Sequence, residues 1–373
     1  PQRVVPDGIA HFLEHKMFEE PEGDVFAKFS SLGASANAYT SFDRTVYLFS
    51  ATEKIEENLM TLLDFVQRPH FTEENVEKEK GIIEQEIKMY RDHPDWRSYY
   101  GLIEAMYQAH PIRIDIAGTV ESIRKITKDL LYECYRAFYH PGNMQLFIVG
   151  GVDPERLMER VRENQSRKDF GPKPRIRRYF AEEPDEVGEP VRETVLPVSL
   201  PKCLLGMKEP AARLKGKEFL QRECEMKMVL GLLFGPSSSF YQTLYDEGLI
   251  TDQFGFEYNF FEGASFSVIG GETPNPEELV RRVREEVDRV LQEGFSQEDF
   301  ERYRNKQIGA FFRMLNSPET IAHEFTKYRF KNADLFDLTS VYESLTLSDV
   351  NRRLREHFDW SRLSVSIVRS EAK

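Results

Sequence analysis

At 373 residues the chain is too long for one ordinary domain of about 100–200 residues, and 40% hydrophobic against 30% charged residues excludes wholesale disorder. The 50 Lys and Arg against 63 Asp and Glu give a net charge of −13 with no basic stripe, which argues against a nucleic-acid partner. Cys134, Cys203 and Cys224 are too widely spaced for a disulfide framework or a CxxC metal site and point to a reducing, cytoplasmic setting, while no apolar run approaches the ~20 residues that cross a bilayer, so no membrane association is expected.

The turn Pro6-Asp7-Gly8 leads into a helix over Ile9–Met17, with Asp7 as its expected N-cap. A second helix, Asp24–Leu32, is closed by Gly33, and two strands, Ala34–Thr40 and Arg44–Ala51, flank a short polar turn. Glu53–Gln67 is amphipathic, with Leu59, Leu62, Leu63 and Val66 on one face. Thr72–Arg91 reads as a long charged helix with an acidic first turn, as the helix dipole favours. Helices follow at Trp96–Gln108 and Lys128–Tyr139, then a buried strand at Asn143–Gly151 and a helix at Pro154–Glu163. Beyond a Pro-bearing acidic stretch, strands are expected at Thr194–Leu200, Cys203–Met207, Gln253–Asn259 and Ala264–Gly270. Helices are expected at Lys217–Leu233, Ser238–Asp246, Pro276–Gln292 and Gln297–Leu315.

The second half repeats the first. Phe71–Lys80 (FTEENVEKEK) matches Phe295–Arg304 (FSQEDFERYR) at an offset of 224 residues, and each copy follows an amphipathic helix that follows a strand pair. That offset is too long for a solenoid and indicates a duplicated domain. The expected layout is a domain over 1–165, a linker over 166–192 and a homologous domain over 193–373. The fold class is α+β: in each domain an antiparallel-rich sheet carries helices on one face, and the pair forms a half-clamshell. The second copy has about 40 residues of strand-bearing sequence before the point equivalent to His11, so the chain, which opens on Pro1, is expected to lack the start of its first sheet.

His11-Phe12-Leu13-Glu14-His15 is the sharpest local signal. On a helix, residues four apart project from one face, so two imidazoles can fill two corners of a tetrahedral zinc site. Glu14 can then reach a zinc-bound water without being a ligand and take its proton. The arrangement is the inverted zincin motif. The same five residues also occur by chance on exposed helices. The apolar neighbours Ile9, Ala10, Phe12 and Leu13 favour a half-buried helix whose histidines need partners. A catalytic zinc takes three protein ligands, and Gly81–Met89 (GIIEQEIKM) offers the third. Glu86 and Glu79, seven residues apart, share a helix face; Glu86 is the ligand candidate and Glu79 a carboxylate that could orient a ligating histidine. Glu84 faces elsewhere, and any one of these glutamates taken alone reads as solvated surface.

Gly8–Phe18, Gly33–Phe49, Glu77–Ile87, His110–Thr119 and Phe138–Gly150 together resemble the pitrilysin/insulinase family of inverted-motif zinc peptidases, and within it the small bacterial processing-protease group. The resemblance runs in order through the first half and continues more weakly through the second. It implies a zinc metalloendopeptidase acting on peptides or small unfolded polypeptides, with His11, His15 and Glu86 as metal ligands, Glu14 as general base and Glu79 as supporting carboxylate. It also implies that the strand at Ser35–Thr40 holds the substrate by edge pairing, with Asn37 and Ala38 beside the scissile bond. Such main-chain pairing binds an extended peptide with little sequence demand. Alternatively, Asn37 makes only local strand-edge bonds.

The second copy has no such metal set: Glu86 falls on Ala310 and Glu79 on Tyr303. The family's second domain often carries an Arg/Tyr pair that binds the substrate carbonyl. Here Leu244–Asp252 presents Tyr245 where the arginine would stand. The implied partner is a metal-less paralogue that supplies the pair in a heterodimer, with a homodimer as the alternative. Rival readings are a non-catalytic structural or peptide-binding subunit that kept the motif, and a zinc hydrolase of another kind. His70, His93, His110, His140, His323 and His357 are read as structural or surface residues, and the cysteines as buried and inert.

Overall fold

The structure, a computed structural model, describes residues 4–371. In chain order the first part gives α1 (Ile9–Met17), a minimal ladder of β1 (Glu19–Glu20) and β2 (Gly23–Asp24), α2 (Val25–Ser31), the hairpin β3 (Ala34–Thr40) and β4 (Thr45–Ala51), α3 (Ile55–Val66), α4 (Glu73–Arg91), α5 (Pro94–Met106), α6 (Val120–Ile123), α7 (Lys128–Phe138) and α8 (Pro154–Ser166). The second gives β5 (Val191–Val195), β6 (Lys202–Lys208), α9 (Gly216–Phe234), α10 (Ser239–Asp246), β7 (Gly255–Phe261), β8 (Ala264–Glu272), α11 (Pro276–Glu293), α12 (Gln297–Met314), α13 (Pro318–Arg329), α14 (Leu338–Ser344), α15 (Leu347–His357) and β9 (Leu363–Arg369). Both parts mix helix and sheet. The order helix, hairpin, helix, helix recurs, as α1, β3–β4, α3, α4 and again as α9, β7–β8, α11, α12. No helix of the described residues is long and apolar enough to cross a membrane.

Two compact units result, and they are not contiguous in the chain: unit 1 holds the residues up to Met89 with Ile114–Tyr179, unit 2 holds Tyr90–Arg113 with Phe180 onward. The expected division at 165 and 192 does not describe them. Residues 90–113 pack in unit 2 because α5 lies on its five-stranded sheet, ordered β5-β9-β6-β8-β7. Gly206 of β6 makes room for it: a Cβ there would come within 2.6 Å of Met106 and 2.9 Å of Leu102. The sheet is therefore covered on both faces, by α5 on one and by α9 and α11 among others on the second, a fuller covering than one face of helices. The expected linker is also partly fixed. The Glu183 carboxylate accepts from the backbone N–H of Gln108, Ala109 and His110 at 2.6–2.9 Å, and the buried Lys208 ammonium donates to it at 2.6 Å.

In unit 1, α1 and α2 pack on β3 and α3 packs on β4, around a core that includes Phe12, Leu13, Met17, Phe29 and Phe65. The helix α1 begins differently from expectation: its N-cap is Gly8, with φ 86°, not Asp7. A Cβ on Gly8 would strike the Ala117 carbonyl oxygen at 2.5 Å, so the close approach of the 117–118 loop fixes both the residue and the start of the helix. The expected strand at Asn143–Gly151 does not form. A strand is defined by its ladder, and among the described residues none pairs with this segment, whose Leu146 and Ile148 are exposed. Helices α13 to α15 and strand β9 lie beyond the last expected element.

Unit 2 buries a relay of polar side chains. His357 Nδ1 lies 2.8 Å from Glu209 Oε1, and its Nε2 lies 2.7 Å from Ser267 Oγ. Tyr258 donates to the same carboxylate at 2.7 Å. Serine, histidine and glutamate stand in the order of a hydrolytic triad, but Ser267 and His357 are 0% exposed, so no substrate reaches the hydroxyl and the relay is structural. Burial would raise the Glu209 carboxyl, but the His357 hydrogen bond leads the opposing effects and holds it at about 2, below the ordinary 4.5. A depressed carboxyl stabilises the fold above its unfolded value, and that contribution is lost as pH falls from 4.5 towards about 2. His357→Ala should therefore lower stability by about 2–4 kcal/mol and move acid unfolding to higher pH, as read by thermal and pH melts of the full chain.

Candidate metal centre

The site of unit 1 follows from one helix face meeting another. On α4, Val76, Glu79, Ile83 and Ile87 are buried, and Glu86 lies beside them on the same stripe. Two carboxylates thus sit where an amphipathic helix ordinarily carries apolar side chains. Opposite them, α1 presents His11 and His15 at i and i+4.

The two Nε2 atoms lie 3.2 Å apart; His11 Nε2 is 3.7 Å from Glu86 Oε1 and His15 Nε2 is 3.4 Å from Glu86 Oε2. Two ligands about 2.0–2.1 Å from one tetrahedral ion stand roughly 3.4 Å apart, so the spacing fits a zinc-sized ion. Among the described residues this is the one group of three or more His, Cys, Asp and Glu whose ligand atoms converge, all within 4.8 Å. The His11 imidazole is pushed down to about 4, by burial first and by His15 second, which keeps it in the neutral form that ligates metals. His15 lies above its ordinary value: burial lowers it, but the hydrogen bond to Glu79 and the charges of Glu86, Glu79 and Glu14 outweigh burial. His15 Nδ1 is 3.0 Å from Glu79 Oε1, the contact that leaves Nε2 facing His11 and Glu86. The nitrogen His11 Nδ1 is buried with no hydrogen-bond partner among the described residues.

Glu14 is also buried, at 8% exposure. Its carboxyl is raised, by burial first, while the Thr40 hydrogen bond and His15 oppose the rise. Thr40 Oγ1 donates to Glu14 Oε2 at 2.6 Å, which anchors one oxygen of the carboxylate and leaves Oε1 for other work. Thr40 closes β3, two residues beyond Ala38. Ala38 pairs across the ladder with Tyr47, and the Tyr47 hydroxyl meets that of Tyr139 at 2.7 Å. The Asn37 side chain accepts from Ala38 N–H at 2.9 Å. No strand among the described residues pairs with the other edge of β3.

The structure thus brings His11, His15, Glu86, Glu79 and Glu14 together and sets Asn37 and Ala38 on the strand that ends at Thr40. Glu84 stands apart, paired with Lys88 and Arg124 at the surface. Two residues of the site escape the motif reading. Thr40 carries no local signal beyond the rule that a buried carboxylate needs a partner. Lys16 does carry one: it is a lysine set among Phe12, Leu13, Met17 and Phe18. In unit 2, Tyr303 stands at the position of Glu79, and its phenol fills the space above Gly231 of α9, where a Cβ would come within 1.8 Å of the hydroxyl. Tyr245 is half exposed and stacks on Tyr241.

The profile described as Insulinase (Peptidase family M16) matches residues 5–120, and that described as Peptidase M16 inactive domain matches residues 125–307. The chain is 53% identical to the uncharacterized zinc protease YmfH of Bacillus subtilis, over 98% of this chain and 85% of that protein. A crystal structure of an M16-like peptidase from Alicyclobacillus acidocaldarius has a TM-score of 0.96 at 44% identity, covering 99% of this chain and 88% of the other. A protease of Helicobacter pylori, at 22% identity and a TM-score of 0.87, covers 99% of this chain and 90% of its own, and shares the fold. One zinc per chain is expected by elemental analysis of the desalted protein, and His15→Ala or Glu86→Ala should each abolish retention of the metal.

Proposed function

The chain belongs to the M16 insulinase-type peptidase family, and we propose that it is a zinc-dependent endopeptidase of extended peptides or small unfolded polypeptides. The observation that carries this reading is the convergence of His11, His15 and Glu86 within 4.8 Å beside the buried Glu14. His11, His15 and Glu86 would hold the ion. Zinc supplies Lewis acidity there, lowering the pKa of water towards about 7 and polarising a carbonyl.

The chain's own residues do the rest. An extended peptide adds to the open edge of β3, where Asn37 and Ala38 meet its main chain and the Asn37–Ala38 contact gives way to substrate. Glu14 takes a proton from the attacking water at Oε1 and returns it to the nitrogen of the departing amine. Burial raises its carboxyl, the direction that favours holding the proton it takes. Thr40 keeps the base aimed by holding Oε2.

The segment Leu244–Asp252 contains no Lys or Arg, so it offers no cationic donor for the developing oxyanion. A metal-less paralogue that brings an Arg/Tyr pair would complete the site, and a second copy of this chain is the alternative. Cys134, Cys203 and Cys224 are buried and form no disulfide with one another, which suits a reducing compartment.

A quenched-peptide assay on the zinc-loaded chain, alone and with the candidate partner, tests this. Glu14→Gln should keep its zinc and lose turnover by about 100-fold or more. Zinc binding without cleavage, with or without the partner, would favour the non-catalytic peptide-binding reading. Thr40→Val should lower kcat roughly tenfold with little change in KM, and Thr40→Ser should restore it.

A further inference from the structure

Lys16 is 0% exposed, although it follows directly on the histidine motif and its neighbours on α1 are apolar. Burying an ammonium carries a desolvation cost that an apolar side chain at the same place would not. Its partners show what the position gains. Lys16 Nζ lies 3.3 Å from Glu79 Oε2 and 2.5 Å from Glu19 Oε2. The other oxygen of Glu79, Oε1, is the one 3.0 Å from His15 Nδ1. Each oxygen of the Glu79 carboxylate is therefore engaged by a different nitrogen. A carboxylate held at one oxygen can still swing about its terminal bond, whereas one held at both has its plane fixed.

We propose that Lys16 is a positioning residue of the metal centre, acting through Glu79 to fix the His15 ring with Nε2 towards the ion. This rests on the zinc reading above. The direction of the effect separates it from plain electrostatics. A positive charge near a cation site opposes metal binding, so removing it should tighten zinc if charge were all that mattered. Loss of orientation should weaken zinc, by the 10–100-fold typical when the support of a metal-ligating histidine is removed.

The test measures zinc affinity of the full chain by competition with a chelating dye, and needs no turnover. Lys16→Met and Lys16→Gln, made side by side so that one folded variant suffices, should each weaken zinc about tenfold or more. In a Glu79→Gln background the same changes should weaken it no further, because the path through Glu79 is already cut. Zinc held as tightly as in the wild type, or more tightly, overturns the proposal. So does an equal loss in both backgrounds, which would assign Lys16 to the general stability of α1. A wild-type chain that binds no zinc removes the metallopeptidase reading and this proposal with it, and that outcome is visible in the wild-type titration alone.

Discussion

Two carboxylates on the core-facing stripe of α4 constrain the rest of unit 1. Glu79 and Glu86 occupy positions that an amphipathic helix would ordinarily give to aliphatic side chains, and a buried carboxylate is costly unless something answers its charge. His11, His15 and Lys16 all answer from α1, and these groups converge where α1 faces α4. The backbone clasp at Gly8 and Ala117 then fixes where α1 begins, and so the height at which its histidines face α4. Glu14 inherits its place from this arrangement, and Thr40 draws the end of β3 to the same point.

The second copy shows what the scaffold does without that constraint. With tyrosine at the position of Glu79, the space above Gly231 is filled by a phenol, and no carboxylate stands at that position. Buried charge has not vanished from unit 2; it has moved. Glu209 with His357, and Lys208 with Glu183, tie a strand end, a helix and part of the expected linker together. One architecture therefore carries two uses of buried charge, one gathered around a common point and the other distributed as ties.

Much of this was legible in the sequence because it rests on helical periodicity. The spacing of His11 and His15, and of Glu79 and Glu86, places each pair on a face, and the repeat at 224 residues shows that a domain is duplicated. What escaped depends on contacts between distant segments. Strand β9 alternates Leu363, Val365 and Ile367 with Ser364 and Ser366, which by itself would place the serines in solvent; α5 covers that face, and small side chains are what let it approach. The same lack of bulk at Gly206 hides the fact that α5 belongs with a sheet whose other strands come from much later in the chain. The reverse error occurs at Asn143–Gly151, where a largely apolar run looks like a strand but finds no neighbour to form a ladder among the described residues. Thr40 shows the limit most plainly: nothing near it in the sequence connects it to Glu14, 26 positions earlier.

The placement of α5 also bears on how the chain can be taken apart. The backbone passes between the units three times, once within α4, once after Arg113 and once after Tyr179, and not through a single tether. Cleavage in the basic segment before Phe180 would sever only one of these connections, and the nicked halves would stay interlocked through the remaining two. A fragment ending at 165 would carry α5 away from its sheet, uncovering Leu102, Ile103 and Met106 on one piece and the serine face of β9 on the other. The two halves repeat one domain pattern but are not separable by scissors, and truncation, expression in halves and domain exchange would have to respect the unit boundaries rather than the visible linker.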